Sequence, residues 1–197
     1  MIRIGITGGI GSGKSYVCQL LKQRGIPIYH CDDEAKRLMV ESSTIRQELN
    51  QLIGKDAYRD GQLNKPLIAQ YLFADTTHAA QINSIVHPVV KQDFIEWVAR
   101  QKASTIVQEC ALLFETEFTD TVDCSILIYA PLDVRLRRVM QRDHATRQQV
   151  LARMAQQMNE EEKRKLADFI ILNDGTTNLN EQIEELLERI QNRNLSK

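Results

Sequence analysis

The sequence predicts an α/β protein, a three-layer α/β/α sandwich around a mainly parallel sheet, and three observations carry that reading. Short apolar runs stand at Ile2 to Ile6, Ile26 to Cys31, Thr105 to Cys110, Cys124 to Ala130 and Asp168 to Leu172, with the near-continuous hydrophobicity of strands covered on both faces. Helical patterns separate these runs, and strand–helix alternation builds parallel sheets. A glycine-rich segment, Gly8 to Gly13, falls between the first strand and the first helix, at the kind of strand end where such sheets collect ligands.

Each element follows from local chemistry. The first strand stops at Gly8-Gly9, and the helix after it, Ser15 to Arg24, carries Val17, Leu20 and Leu21 at helical spacing until Gly25 and Pro27 end it. Ile26 to Cys31 forms the second strand. From Asp32 to Arg100 the pattern is helical with little strand signal, broken at Gly54, Asp60-Gly61, Pro66 and His87-Pro88. Residues 32–102 are therefore expected to form a helical subdomain inserted into a core of residues 1–31, 103–133 and 167–197. Asn178 to Arg193 closes the chain as an amphipathic helix with Ile183, Leu186, Leu187 and Ile190 on one face.

Composition removes several function classes. Twenty-five Lys plus Arg against 26 Asp plus Glu give a net charge of −1, so neither nucleic acid nor an anionic membrane is an expected partner. Cys18, Cys31, Cys110 and Cys124 are far apart with no metal-ligand spacing. The opening MIRIGITGGI is too short and glycine-rich for a signal peptide, and no apolar run approaches membrane-spanning length. A cytoplasmic, reduced protein is expected, with any anion bound locally.

Gly8-Gly9-Ile10-Gly11-Ser12-Gly13-Lys14-Ser15 matches GxxxxGK(S/T) between a predicted strand and helix. Glycines let the backbone turn its N–H groups toward a triphosphate, and the helix N-terminus adds a favourable dipole. Lys14 is placed to reach the β- and γ-phosphates, and the Ser15 hydroxyl is the expected Mg²⁺ ligand. The competing reading is a glycine-rich turn that binds nothing; such a string arises by chance in on the order of one chain in a hundred.

A phosphate loop does not by itself separate a kinase from a GTPase or a motor. Asn64-Lys65 lacks the Asp a guanine-reading motif needs, and Ile106-Val107-Gln108-Glu109 offers a single acid where motors carry an acidic pair. Arg135, Arg137, Arg138, Arg142 and Arg147 cluster against Asp133 and Asp143 only. Guanidinium forks on a mobile segment neutralise a moving phosphoryl group, which makes residues 134–166 a lid; a solvated basic helix face is the other reading. Asp32, directly after the second strand, is a candidate base for an acceptor hydroxyl or a helix N-cap.

Several segments together resemble the dephospho-coenzyme A kinase family, a P-loop NTPase fold of the adenylate-kinase-like type: IGITGGIGSGKS at the start, GIPIYHCDDEAKRL, Val86-His87-Pro88, ALLFE from Ala111 to Glu115, RLRRVMQRD from Arg135 to Asp143, and ADFIILNDG from Ala167 to Gly175. The resemblance implies ATP-dependent phosphorylation of the ribose 3′-hydroxyl of dephospho-coenzyme A, with ATP and Mg²⁺; a monomer is expected. It implies that Gly11, Ser12, Gly13, Lys14, Ser15 and Tyr16 hold the nucleotide phosphates, that Asn173 and Gly175 border the adenine, and that Asp32 meets the substrate hydroxyl. Lys14, Asp32, Arg138 and Arg142 would carry the catalysis. His87, Leu112, Leu113, Phe114 and Glu115 would border the acceptor; taken alone, His87 reads as a buried histidine beside a Pro turn. The chain departs from the pattern at Tyr16, usually Thr, at Ala111, usually Pro, and at His30, usually the first Asp of an Asp-Ala-Asp motif. Another small-molecule or nucleoside kinase of the same fold, and a nucleotide-binding regulator without an acceptor, are the alternatives.

Overall fold

The computed structural model describes residues 1–75 and 77–195. They form two compact units, residues 1–29 with 102–197, and residues 30–101. The chain opens with β1 (Ile2–Thr7), α1 (Lys14–Gln23) and β2 (Ile28–His30). The second unit follows with α2 (Cys31–Glu41), α3 (Ser43–Ile53), the hairpin β3 (Tyr58–Arg59) and β4 (Gln62–Leu63), α4 (Lys65–Ala74) and α5 (His78–Ala99). The chain then returns through β5 (Thr105–Glu109), β6 (Cys124–Tyr129), α6 (Leu132–Asp143), α7 (Arg147–Met154), α8 (Glu160–Leu166), β7 (Phe169–Leu172) and α9 (Leu179–Leu195).

The sheet order is β2-β5-β1-β6-β7, and β1 pairs in parallel with both β5 and β6, as β6 does with β7. β1 is central because its side chains are buried on both faces. Ile4 and Ile6 join Val107, Ile126, Ile128 and Ile171 in a core covered by Val17 and Leu21 of α1 and by Ile183, Leu186 and Ile190 of α9. At roughly 1.5–3 kcal/mol for each large apolar side chain, this layer dominates the stability of the unit. On the opposite face Gly5 has no room for a side chain, since a Cβ would lie 2.9 Å from a Leu113 methyl. α6 and α7 form a smaller cluster, with Leu136, Val139 and Val150 buried and Ile10 packed against them.

Three local features differ from the sequence reading. β2 ends at His30, and Cys31 already begins α2 with Asp32, Asp33 and Glu34 in its first turn. Three carboxylates there complement the positive end of the helix, so the helix takes over earlier. His30 occupies the N-cap position, which leaves Asp32 inside the first turn and not as the cap. The second difference is α5, which continues through Pro88. A helix-interior Pro costs about 3 kcal/mol, but Ile82 and Val86 before it and Val90 and Phe94 after it are all buried on one stripe, and that burial outweighs the lost hydrogen bond. Asp60 and Gly61, both at positive φ (48° and 79°), form the tight turn of a β3–β4 hairpin that short, mixed strands did not announce.

No helix among the described residues is long and apolar enough to cross a membrane. Cys18, Cys31, Cys110 and Cys124 are buried and form no disulfide among the described residues.

Candidate active site

The loop after β1 is built from its glycines. Gly11 and Gly13 adopt φ of 83° and 92°, values that side chains with a Cβ resist. Gly13 is also the N-cap of α1, and a Cβ on it would run into the side-chain amide of Asn173. The Ser12 N–H donates to Gly9 O at 3.0 Å, closing the turn, and Lys14 Nζ donates to Gly8 O at 2.8 Å, so the ammonium spans the loop from end to end. Ser12 is fully buried, and its Oγ has no hydrogen-bond partner among the described residues. Ser15 and Tyr16 lie exposed in the first turn of α1.

α6 and the segment after β7 complete this side. Arg138 Nη1 donates to Asn173 O at 3.1 Å and makes longer contacts of 3.5 Å with Gly11 O and Ser12 O. Its Nη2 donates to Asn173 Oδ1 at 3.2 Å, while Asn173 Nδ2 donates to Ser12 O at 2.8 Å. One guanidinium and one amide thus fix the loop to α6 and to the residue that follows β7. Next to them opens a cleft of about 540 Å³ lined by Gly13, Tyr16, Arg138, Asn173 and Gly175 among others, within the size range of small-ligand sites.

Arg142 is elsewhere. Its side chain is 63% exposed and its Nε lies 2.6 Å from Asp143 Oδ1, and Asp143 also receives Arg153 Nη1 at 2.7 Å. These two guanidiniums hold the Asp143 carboxyl far below the usual carboxylate range. The structure therefore brings Arg138, and not Arg142, to the phosphate loop: the two stand four residues apart on α6, so Arg142 lies one turn further along the same helix, in its exposed last turn.

Several participants were invisible to sequence spacing. Arg135 and Glu160, both about nine-tenths buried, pair at 3.8 Å and flank Gly9, where any Cβ would meet both. Gln157 Oε1 accepts the Ile10 N–H at 3.0 Å. Glu109, buried at the end of β5, sits close enough that its charge and that of Lys14 both act on Cys18, whose thiol is pushed up to about 12 by burial first and Glu109 second. An acid ending an apolar strand was the available signal for Glu109; for Gln157 there was none.

The segment after β5 behaves differently from a simple substrate wall. Leu113 is fully buried against Gly5, while Leu112 and Phe114 are half-buried. The Glu115 carboxylate is taken by Lys163 Nζ at 2.9 Å and by the Met158 N–H at 3.0 Å. Leu113 thus serves the core, and Glu115 is a structural partner within the unit.

The second unit holds the remaining candidates. Asp32 is exposed in the first turn of α2 and His87 half-buried in α5, with burial pushing its imidazole below the ordinary value. The two helices are tied by Arg37 of α2, which donates to Glu34, Glu41 and Asp93 of α5 at 2.5, 2.7 and 2.8 Å.

A family model described as dephospho-CoA kinase matches residues 2–179. A dephospho-CoA kinase of Bacteroides fragilis is 46% identical over 187 residues, covering 94% of this chain and 91% of its own. A solved structure from Thermus thermophilus superposes with a TM-score of 0.81 at 36% identity, covering 98% of this chain and 97% of that one. A dephospho-CoA kinase structure from Campylobacter jejuni, at 22% identity, a TM-score of 0.66 and coverage of 96% and 95%, shares the fold.

Proposed function

The chain belongs to the dephospho-CoA kinase family, and we propose that it transfers the γ-phosphoryl group of ATP to the ribose 3′-hydroxyl of dephospho-coenzyme A, the last step of coenzyme A synthesis. The observation that carries this reading is the Arg138–Asn173 clamp on the Gly11–Gly13 turn. It holds a phosphate-binding backbone in shape and borders a cleft fit for a nucleoside.

The residues divide the work. Main-chain N–H groups of Gly11 to Ser15 and the N-terminus of α1 receive the phosphates, joined by the buried, unpartnered Ser12 Oγ. Lys14 exchanges its Gly8 carbonyl partner for the β- and γ-phosphate oxygens. Asn173 and Gly175 border the adenine in the cleft. The acceptor oxygen attacks the γ-phosphorus as the bond to the bridging β–γ oxygen breaks, ADP departs, and the hydroxyl proton passes to Asp32. Arg138, which contacts the loop carbonyls, would offer a planar donor to the negative charge on the moving group.

Mg²⁺, when bound, neutralises charge on the β- and γ-oxygens. The donor set fits such a hard ion. The Ser15 hydroxyl is exposed at the first turn of α1 beside Lys14. Among the described residues no group of three or more His, Cys, Asp and Glu gathers, and Mg²⁺ in kinases takes few protein ligands, with phosphate and water supplying the rest. The same reading makes the protein a cytoplasmic monomer acting on a soluble substrate.

The test is acceptor-dependent ADP release with dephospho-coenzyme A, adenosine, AMP and no acceptor. Release that requires dephospho-coenzyme A supports the reading. Equal release with adenosine or AMP would move the protein to another small-molecule kinase, and tight ATP binding without any acceptor-dependent release would make it a regulator.

A further inference from the structure

Lys163 has no place in the mechanism above, yet it is the one lysine recorded as fully buried among the described residues. A buried ammonium carries a desolvation penalty of several kcal/mol, recovered only through well-placed partners. Its partners are Glu115 Oε1 at 2.9 Å and the Ala111 carbonyl at 3.4 Å, the two ends of the segment that leaves β5. Both partners are shared. Ala111 O also accepts the Thr7 hydroxyl at 3.4 Å, and Thr7 is the last residue before the phosphate loop. Glu115 Oε1 also accepts the Met158 N–H at 3.0 Å, next to Gln157, whose side chain holds the Ile10 N–H of that loop at 3.0 Å.

These contacts close a circuit: Thr7, Ala111, Lys163, Glu115, Met158, Gln157, Ile10. It joins the N-terminal half of the phosphate loop, at Thr7 and Ile10, to both ends of the 111–115 segment through a single buried charge. Neutral groups would close a similar ring more cheaply, so the placement of a charge points to a demand for rigidity. Charge-assisted bonds are shorter and about twice as strong as neutral ones.

We propose that Lys163 is a positioning residue for phosphoryl transfer: acting through Glu115 and the Ala111 carbonyl, it sets the 111–115 segment in register with the phosphate loop. The assignment rests on the kinase reading. It changes the role of Glu115 from acceptor contact to anchor, and it makes α8 a fixed post at the end of the expected lid.

Three variants test it: Lys163→Met, Lys163→Arg, and Lys163→Met combined with Glu115→Gln. Lys163→Met alone takes the ammonium from the partly screened Glu115 carboxylate, whose side chain is 19% exposed, so a lowered Tm is expected. The double variant removes both charges and recovers Tm, which separates positioning from stability. In both Met variants kcat/KM for dephospho-coenzyme A is expected to fall about 100-fold, the scale of a small misplacement of reacting groups. The Kd for ATP by titration calorimetry stays within about threefold of the parent, an allowance set by the factor of 2–3 over which single-contact effects vary. Lys163→Arg restores most of the turnover, and hydrogen exchange at amides 112–116 is faster in the Met variants only. A refolded double variant with parental kcat/KM and parental exchange would reduce Lys163 to a structural residue and overturn the proposal. A parent that turns over no dephospho-coenzyme A would sink the kinase reading instead, and the exchange at 112–116 would then decide the anchoring by itself.

Discussion

Gly13→Ala is the perturbation whose cost can be worked out most directly. Gly13 has φ of 92°, and placing a residue with a Cβ there costs about 1–2 kcal/mol. The added methyl would also occupy the position of the Asn173 amide, which is buried and donates to Ser12 O at 2.8 Å. Displacing it leaves a buried polar group short of a partner, about 1–3 kcal/mol, while the lower entropy of the unfolded Ala chain returns roughly 0.4–1 kcal/mol. The net is about 2–4 kcal/mol. Where it appears depends on the loop. If the loop is held in shape, the cost falls on global stability, a Tm decrease of roughly 4–16 °C for a chain of this size. If the loop relaxes locally, the nucleotide must restore it, and the Kd for ATP rises by roughly 30- to 700-fold. Differential scanning calorimetry and titration calorimetry on the same sample read both. A variant with parental Tm and parental Kd would refute the argument, because it would mean that Asn173 does not lean on Gly13 and that the clamp is not needed.

The other predictions concern single side chains. Arg138→Lys keeps the charge but cannot span Asn173 and the loop carbonyls, so kcat is expected to fall at least 10-fold, with a smaller change in the KM for the acceptor; an equal kcat would return Arg138 to a surface role. Asp32→Asn is expected to lower kcat by roughly 10²- to 10⁴-fold and His30→Ala far less; a pH profile in which the acid-side fall vanishes in His30→Ala while Asp32→Asn stays active would make His30 the base. His87 is held below its ordinary pKa by burial, so the unfolded chain takes up its proton first. Stability from this group is complete above the unfolded value of about 6.5 and declines as pH falls from there toward the lowered folded value. His87→Gln is expected to shrink the difference in urea midpoint between pH 7.5 and pH 5, and an unchanged difference would show that His87 is not titrating.

What the sequence made legible was whatever repeats at short range. Strand runs such as Ile2 to Thr7 and Cys124 to Tyr129 announce themselves because both faces are covered, and the phosphate loop does so because its glycines and Lys14 must be contiguous. Two-residue strands such as β3 and β4 are too short to carry a period. The end of β2 was misplaced by one residue because Cys31 is as apolar in a helix as in a strand, and only the acids after it decide. Among the arginines, charge clustering was visible but orientation was not. Arg135, Arg138 and Arg142 face Glu160, Asn173 and Asp143, and which of them meets the loop depends on how α6 packs through Leu136 and Val139.

That packing explains why the site's second half lay beyond sequence reasoning. In the sheet order β2-β5-β1-β6-β7, the strands on either side of β1 come from more than 100 residues further along the chain; their exits lead to Ala111 and Pro131, and Asn173 follows β7 beyond them. The partners they find there are largely main-chain atoms: Ile10 N, Gly11 O, Ser12 O and Ala111 O. A main-chain atom has no residue type, so no motif can name its partner. Gln157 and Asn173 hold the loop through Ile10 N and Ser12 O, atoms of a kind that every residue but proline possesses, and the identity of the loop residue is constrained only where a Cβ would intrude, as at Gly9 and Gly13. The glycines are thus the visible trace of the clamp: they mark where the partners press on the loop, while the partners themselves are specified by the fold.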